Sequence, residues 1–275
     1  MTTAFVLGGG GKWGAVEVGM IRALDEAGIK PDLILGTSIG AFNGGVIADY
    51  PGREGVERLT GFWEEVTGAD LFQTGLLDRA LRVATLKPAL HGTNELRKLL
   101  EHAIHPETQI DDLHIPFQCV AASIEAVTDH WFDSGPLVDA VLASSAVPGL
   151  FPPVEIDGEH FYDGGLVDSV PLGRAIHLGA DIIYILQVGR MESPLRPPQR
   201  LHEAALISFE IARRHRFATA MRDLPDDVDV HVLPTGSPVA WDDRSQLRWK
   251  DTGGIEERIT SAYRATVDYL GSRTN

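Results

Sequence analysis

A single cysteine in 275 residues leaves Cys119 without a partner, so an intramolecular disulfide and a multi-cysteine metal site are both excluded. A reducing, cytoplasmic setting is the matching expectation. Positive charge is also scarce, with 24 Lys and Arg against 39 Asp and Glu and a formal net charge of −15. Phosphate backbones are held by clustered Lys and Arg, so this balance argues against a nucleic-acid partner. It equally disfavours tight docking on an anionic membrane and leaves room only for a transient membrane-surface contact. Long apolar runs are missing. Met1 to Val6 has no basic n-region and its apolar stretch runs straight into glycine, so neither a signal peptide nor a transmembrane helix is expected. The 10 histidines are scattered, and none falls into H-E-x-x-H or another ligand spacing. No metal is expected.

What the chain does have is apolar material for a core, at 44% hydrophobic residues, and no internal repeat or low-complexity segment. One domain spanning 1–275 is the expectation. Thr3 to Leu7 reads as a strand that stops at Gly8-Gly9-Gly10-Gly11, and Trp13 to Ala27 turns helical. Leu33 to Leu35 is a second short strand, followed by an apolar, Gly-rich helix from Ile39 to about Ala48. Residues 53–105 read as mostly helical. Further strands are expected at Phe117 to Ile124, His130 to Phe132, Val154 to Ile156, His160 to Tyr162, Asp181 to Val188 and Val228 to Leu233. Helices are expected at Pro136 to Ser145, Leu201 to Met221 and Ile255 to Leu270. Alternating strands and helices predict an α/β layered fold with a mainly parallel sheet.

Gly36-Thr37-Ser38-Ile39-Gly40 lies between a strand and a helix, the context in which G-x-S-x-G is a nucleophile elbow. The glycines permit the turn, Ser38 projects from it, and the Ile39 N–H at the helix start faces a developing oxyanion. The plainer alternative makes Ser38 the N-cap of that helix. Gly9-Gly10-Gly11-Lys12-Trp13-Gly14 formally fits G-x-G-x-x-G, but no acidic residue ends the second strand to hold a ribose. Trp13 after Lys12 also breaks the Walker pattern. A glycine run at a helix start can still offer bare backbone N–H groups to an anion. Asp163-Gly164-Gly165 follows a strand and is, on its own, an Asp-Gly turn. Ala143 to Pro153 is a small-residue helix end running into a proline-rich apolar loop that fits the wall of an acyl pocket or ordinary core.

Taken in order, these blocks resemble the patatin-like phospholipase family over about residues 4–190. The resemblance implies a three-layer α/β/α fold, hydrolysis of lipid acyl esters and no cofactor. It implies Ser38 as nucleophile and Asp163 as its partner. It also implies that Gly9, Gly10 and Gly11, with Ile39, form the oxyanion hole, and that Gly14, Gly36, Gly40, Gly164 and Gly165 are motif positions. The implied partner is a lipid or phospholipid ester. One departure stands out, since Trp13 occupies the place before the last loop glycine where the family usually carries Arg or Lys. A backbone role of the loop survives that change.

The chemistry agrees with this implication. Serine needs a base to take its proton, and a carboxylate shielded by Phe151, Phe161 and Tyr162 gains basicity. Two alternatives stand beside it: an α/β-hydrolase esterase with a Ser-Asp-His triad, and a non-catalytic module whose glycine loop cradles a phosphate. Arg213, Arg214 and Arg216 read as a solvated basic face. Leu71, Phe72, Leu76, Leu77, Leu81 and Leu86 read as helical core or as a lid that meets lipid.

Overall fold

The structure is a computed structural model that describes residues 1–68, 92–189, 194–199, 201–238 and 254–273. The apolar segment from Leu71 to Leu86 lies outside the described residues, so the core and lid expectations for it do as well.

The chain builds an 8-stranded sheet whose neighbours run β5-β6-β3-β2-β1-β7-β8, with β4 on the free edge of β3. The strands are β1 (Thr3–Leu7), β2 (Leu33–Thr37), β3 (Phe117–Ser123), β4 (Thr128–Phe132), β5 (Val154–Ile156), β6 (Glu159–Asp163), β7 (Ile182–Leu186) and β8 (Asp229–Val232). From β3 through β2, β1 and β7 to β8 every pairing is parallel, while β4, β5 and β6 join antiparallel. The expected mainly parallel sheet is therefore present, with an antiparallel end. The turn between β5 and β6 puts both Asp157 (φ 52°) and Gly158 (φ 82°) in the left-handed region, the requirement of a two-residue hairpin turn.

The helices are α1 (Ala15–Glu26), α2 (Ile39–Asp49), α3 (Arg53–Gly68), α4 (Thr93–Leu100), α5 (Leu137–Ser144), α6 (Leu172–His177), α7 (Leu201–Arg222) and α8 (Ile255–Arg273). Successive strand residues point to opposite faces, and the apolar residues divide accordingly into two cores. Phe5 and Leu7, Ile34, Tyr184 and Leu186 pack with α1 to α5 and α8. Ala4 and Val6, Leu33 and Leu35, Ile183 and Ile185 pack with α6 and α7. A strand apolar on both faces can only be covered by two helix layers, and the result is an α/β/α arrangement. No described helix is long and apolar enough to cross a membrane.

One topological detail places the site. β3 carries β4 along one edge, and its other edge is shared end to end by two strands. β2 occupies it up to Thr37 opposite Val120, and β6 takes over with Asp163 opposite Ala121. The C-terminal ends of β2 and β6 thus meet head-on, and whatever follows Thr37 faces Asp163.

Candidate active site

Ser38 is the residue that follows Thr37. It sits between β2 and α2 with φ 55° and ψ −122°, a conformation that costs a non-glycine residue on the order of 1–3 kcal/mol. The surroundings hold it there. The Ser38 N–H donates to Ser144 Oγ at 2.9 Å, and Ser144 Oγ donates in turn to the Val120 carbonyl at 2.6 Å. Behind the turn, Gly40 presses against the Leu7 carbonyl so closely that a Cβ would overlap it, which is why only glycine fits there. Thr37 Oγ1 donates to the Asp168 carbonyl at 2.8 Å and ties the elbow to the loop after β6.

Ser38 holds the N-cap position of α2 but does not cap it with its side chain. Its side chain makes no capping bond, while its carbonyl accepts the Ala41 and Phe42 N–H groups. The hydroxyl instead donates to Asp163 Oδ2 at 2.6 Å, with both residues buried. Asp163 is both a turn residue and the serine's partner. Its other oxygen, Oδ1, accepts the Gly165 N–H at 2.7 Å and caps the single 3₁₀ turn that follows. Gly164 lies on the Val120 carbonyl with no space for a side chain. Phe161, two residues back on the same strand face, is buried, whereas Tyr162 points to the opposite face. The expectation that Tyr162 shields the carboxylate is thereby corrected. Burial pushes the Asp163 carboxyl above its ordinary pKa, opposed by the Ser38 hydroxyl, the Gly165 N–H and the charge of Arg213. Among the described residues no histidine bonds to Ser38 or Asp163. His160 pairs with Glu125, and His231 with Asp229 and Tyr269.

The glycine loop lies against the serine, for a Cβ on Gly9 would stand 3.4 Å from the Ser38 Cβ. Gly9 is nevertheless no free donor. Its N–H bonds to the Ser169 carbonyl at 3.0 Å, which removes it from the expected oxyanion set and leaves Gly10, Gly11 and Ile39. The Ile39 N–H opens α2 and has no carbonyl four residues back within the helix. Beneath the loop, Asn43 donates from Nδ2 to the Gly14 carbonyl at 2.9 Å and to Glu17 Oε2 at 2.7 Å. Glu17 is fully buried, and burial holds its carboxyl well above the ordinary glutamate range. Trp13 is core, with Arg258 4.0 Å and the Lys12 ammonium 4.7 Å from its ring centre.

Arg213 corrects a second expectation. Placed on a solvated face by the sequence, it is 12% exposed and points inward from α7. Its Nη2 donates to the Gly9 carbonyl at 3.0 Å, Nε to Ser169 Oγ at 2.8 Å and Nη1 to Glu210 Oε1 at 3.0 Å. Ser144, Ser169 and Arg213 were not legible as site residues, because each serves the site through one backbone atom of another segment. The only signal for Arg213 was Glu210 one helical turn earlier.

A buried serine on a strained elbow, bonded to a buried carboxylate and flanked by backbone N–H groups, is equipped for acyl transfer without a metal. Among the described residues no group of His, Cys, Asp and Glu is arranged to hold one.

A family model described as patatin-like phospholipase matches residues 5–176. The chain is 32% identical over 191 residues to the lysophospholipase nte1 of Aspergillus terreus, covering 70% of this chain and 12% of that protein. It is 34% identical over 189 residues to the patatin-like phospholipase domain-containing protein ZK370.4 of Caenorhabditis elegans, covering 68% of this chain and 14% of that one. The chain thus matches only a small part of the length of these relatives. Among solved structures, VipD from Legionella pneumophila superposes with a TM-score of 0.51 at 16% identity, over 98% of this chain and 67% of that one, a likeness of fold alone.

Proposed function

The chain belongs to the patatin-like phospholipase family, and on that premise we propose that it is a serine hydrolase of lipid acyl esters working through Ser38 and Asp163. The observation that carries the reading is the 2.6 Å bond from Ser38 Oγ to Asp163 Oδ2 within a buried elbow. Lysophospholipid is the substrate class to which the relatives' names point first.

In this reading Asp163 Oδ2 takes the hydroxyl proton as Ser38 Oγ attacks the acyl carbonyl carbon. The carbonyl π electrons move to oxygen, and the resulting oxyanion is held by N–H groups drawn from Gly10, Gly11 and Ile39. Collapse breaks the carbon–oxygen ester bond, and Asp163 returns its proton to the departing alcohol. Water, deprotonated by Asp163, then attacks the acyl-serine, and the fatty acid leaves as Ser38 recovers its proton. The raised pKa of Asp163 suits both halves, since a more basic carboxylate takes the proton more readily and still returns it. The chain's own groups supply every proton transfer.

The test is release of fatty acid from lysophosphatidylcholine by the purified chain, read by mass spectrometry. Turnover in the wild type that disappears in Ser38→Ala supports the proposal. Equal turnover in both would refute it.

A further inference from the structure

A loop made of glycine is adaptable in proportion to how poorly it holds a shape. Glycine visits left-handed and extended backbone with little preference, so a peptide flanked by glycine on both sides can turn over at small cost. The Gly9–Gly10 peptide is such a unit, and in the loop beyond it Gly10 (φ 177°) and Gly11 (φ 60°) occupy two different regions of backbone space. An oxyanion hole tolerates no such freedom, because its donors act by pointing in advance at the place where charge develops. Something outside the loop must set the orientation.

We propose that Arg213 is the positioning residue of the oxyanion loop, acting through the Gly9 carbonyl to aim the Gly10 N–H. In a trans peptide the C=O and the following N–H point in opposite directions, and the described chain has no cis bond. With the Gly9 oxygen held on Arg213 Nη2 at 3.0 Å, the Gly10 N–H is turned away from α7. The preceding peptide is fixed separately, by Gly9 N–H to the Ser169 carbonyl at 3.0 Å, and Arg213 Nε holds the same serine by its hydroxyl at 2.8 Å. One planar guanidinium therefore grips both walls of the loop, a geometry that the single ammonium of lysine cannot reproduce. Glu210, itself buried, completes the fork and keeps the cation paired. A donor on the Gly9 carbonyl also polarises its peptide and strengthens the N–H at the other end. The role is confined to neither stability nor substrate contact, and it sits on α7, beyond the residues 5–176 that match the family model.

The inference rests on the proposed reaction, and the test separates the two. Rates of fluorophosphonate labelling at Ser38, and kcat and KM on one soluble ester, are measured from pH 4 to 9 for the wild type, Arg213→Lys, Arg213→Gln and Ser169→Ala. Arg213→Gln is expected to lower kcat by about 10–100-fold with little change in KM, less than the full loss of an oxyanion donor. Its acid limb should move to higher pH, because the charge favouring the Asp163 carboxylate is gone. Arg213→Lys should keep the wild-type acid limb yet recover only part of kcat. Ser169→Ala, which keeps the Gly9 N–H bond and removes one anchor of the fork, should lose several-fold in kcat. It also serves if Arg213→Gln does not fold, as judged by near-UV circular dichroism. A wild-type enzyme that labels at Ser38, with Ser169→Ala and any folded Arg213 variant matching it in kcat and acid limb, overturns the inference and leaves the proposed function standing. A wild type that neither labels nor turns over overturns the function itself.

Discussion

Ser144→Ala should damage both stability and turnover although the residue touches neither the reacting hydroxyl nor its base. Its hydroxyl accepts the Ser38 N–H at 2.9 Å and donates to the Val120 carbonyl at 2.6 Å, with Ser144 fully buried. Val120 lies within the β3 ladder and a carbonyl has two lone pairs, so its loss is small. Among the described residues the Ser38 N–H has no such second partner. Leaving a buried donor unpaired costs about 1–3 kcal/mol, and here the donor belongs to a residue whose φ of 55° is already unfavourable. The elbow can answer in two ways. If it stays in place, stability falls by about 1–3 kcal/mol, read as a lower urea midpoint at unchanged m-value. To the extent that it relaxes, the strain is relieved and Ser38 Oγ drifts from Asp163, which lowers kcat about tenfold for each 1.4 kcal/mol of misplacement while KM holds. Ser145→Ala is the control, expected within about 0.5 kcal/mol of wild type and fully active. Urea unfolding by tryptophan fluorescence and ester kinetics on the same preparations give both numbers. A Ser144→Ala protein equal to Ser145→Ala in midpoint and kcat would refute the account of how the elbow is held.

Other positions give further outcomes. Asp163→Asn should retain the fold, keep the Gly165 cap through its remaining oxygen and lower kcat about 10²–10⁴-fold. In the wild type, the acid limb of kcat/KM should stand above the ordinary aspartate value of about 3.9, since burial raises Asp163. Gly9→Ala and Gly40→Ala should separate. The first meets only contacts of 3.4 Å or more and should fold, yet lose activity because its methyl sits beside Ser38. The second strikes the Leu7 backbone and should unfold at markedly lower urea. Burial raises the Glu17 pKa in the folded protein while the unfolded chain releases its proton near the ordinary value of about 4.3, so its contribution to stability falls as pH rises from there toward its raised folded value. Glu17→Gln keeps an acceptor for Asn43 and should flatten that fall in urea midpoints measured between pH 5 and 8.

The sequence carried the fold wherever the pattern was local. The run Thr3 to Leu7 ends at glycine and is a strand to the residue, and Asp157-Gly158 is the expected hairpin turn. The two-sided hydrophobicity of Asp181 to Val188 matches β7, flanked by β1 and β8. The meeting of Ser38 and Asp163 was implied by motif order, but its cause was not legible, because it lies in β2 and β6 sharing one edge of β3. Pairing partners so far apart leave no periodic trace. The basic run at Arg213 misled for a related reason. A charge on a helix reads as solvated unless its partners are known, and these are the backbone of Gly9 and a loop serine, more than a hundred residues away in one case. Trp13, which departs from the family's usual Arg or Lys, and Lys12 beside it are both buried, and trimming Trp13 would open the core.

The most direct test of the central claim is to trap the acyl-enzyme. A slowly deacylating activated ester is mixed with the protein, quenched in acid and digested, and the peptides are read by tandem mass spectrometry. The account predicts the acyl mass on Ser38 alone, accumulating in the wild type and strongly slowed in Asp163→Asn. Hydrolysis that proceeds with no adduct on Ser38, or with the adduct on another side chain, would contradict it.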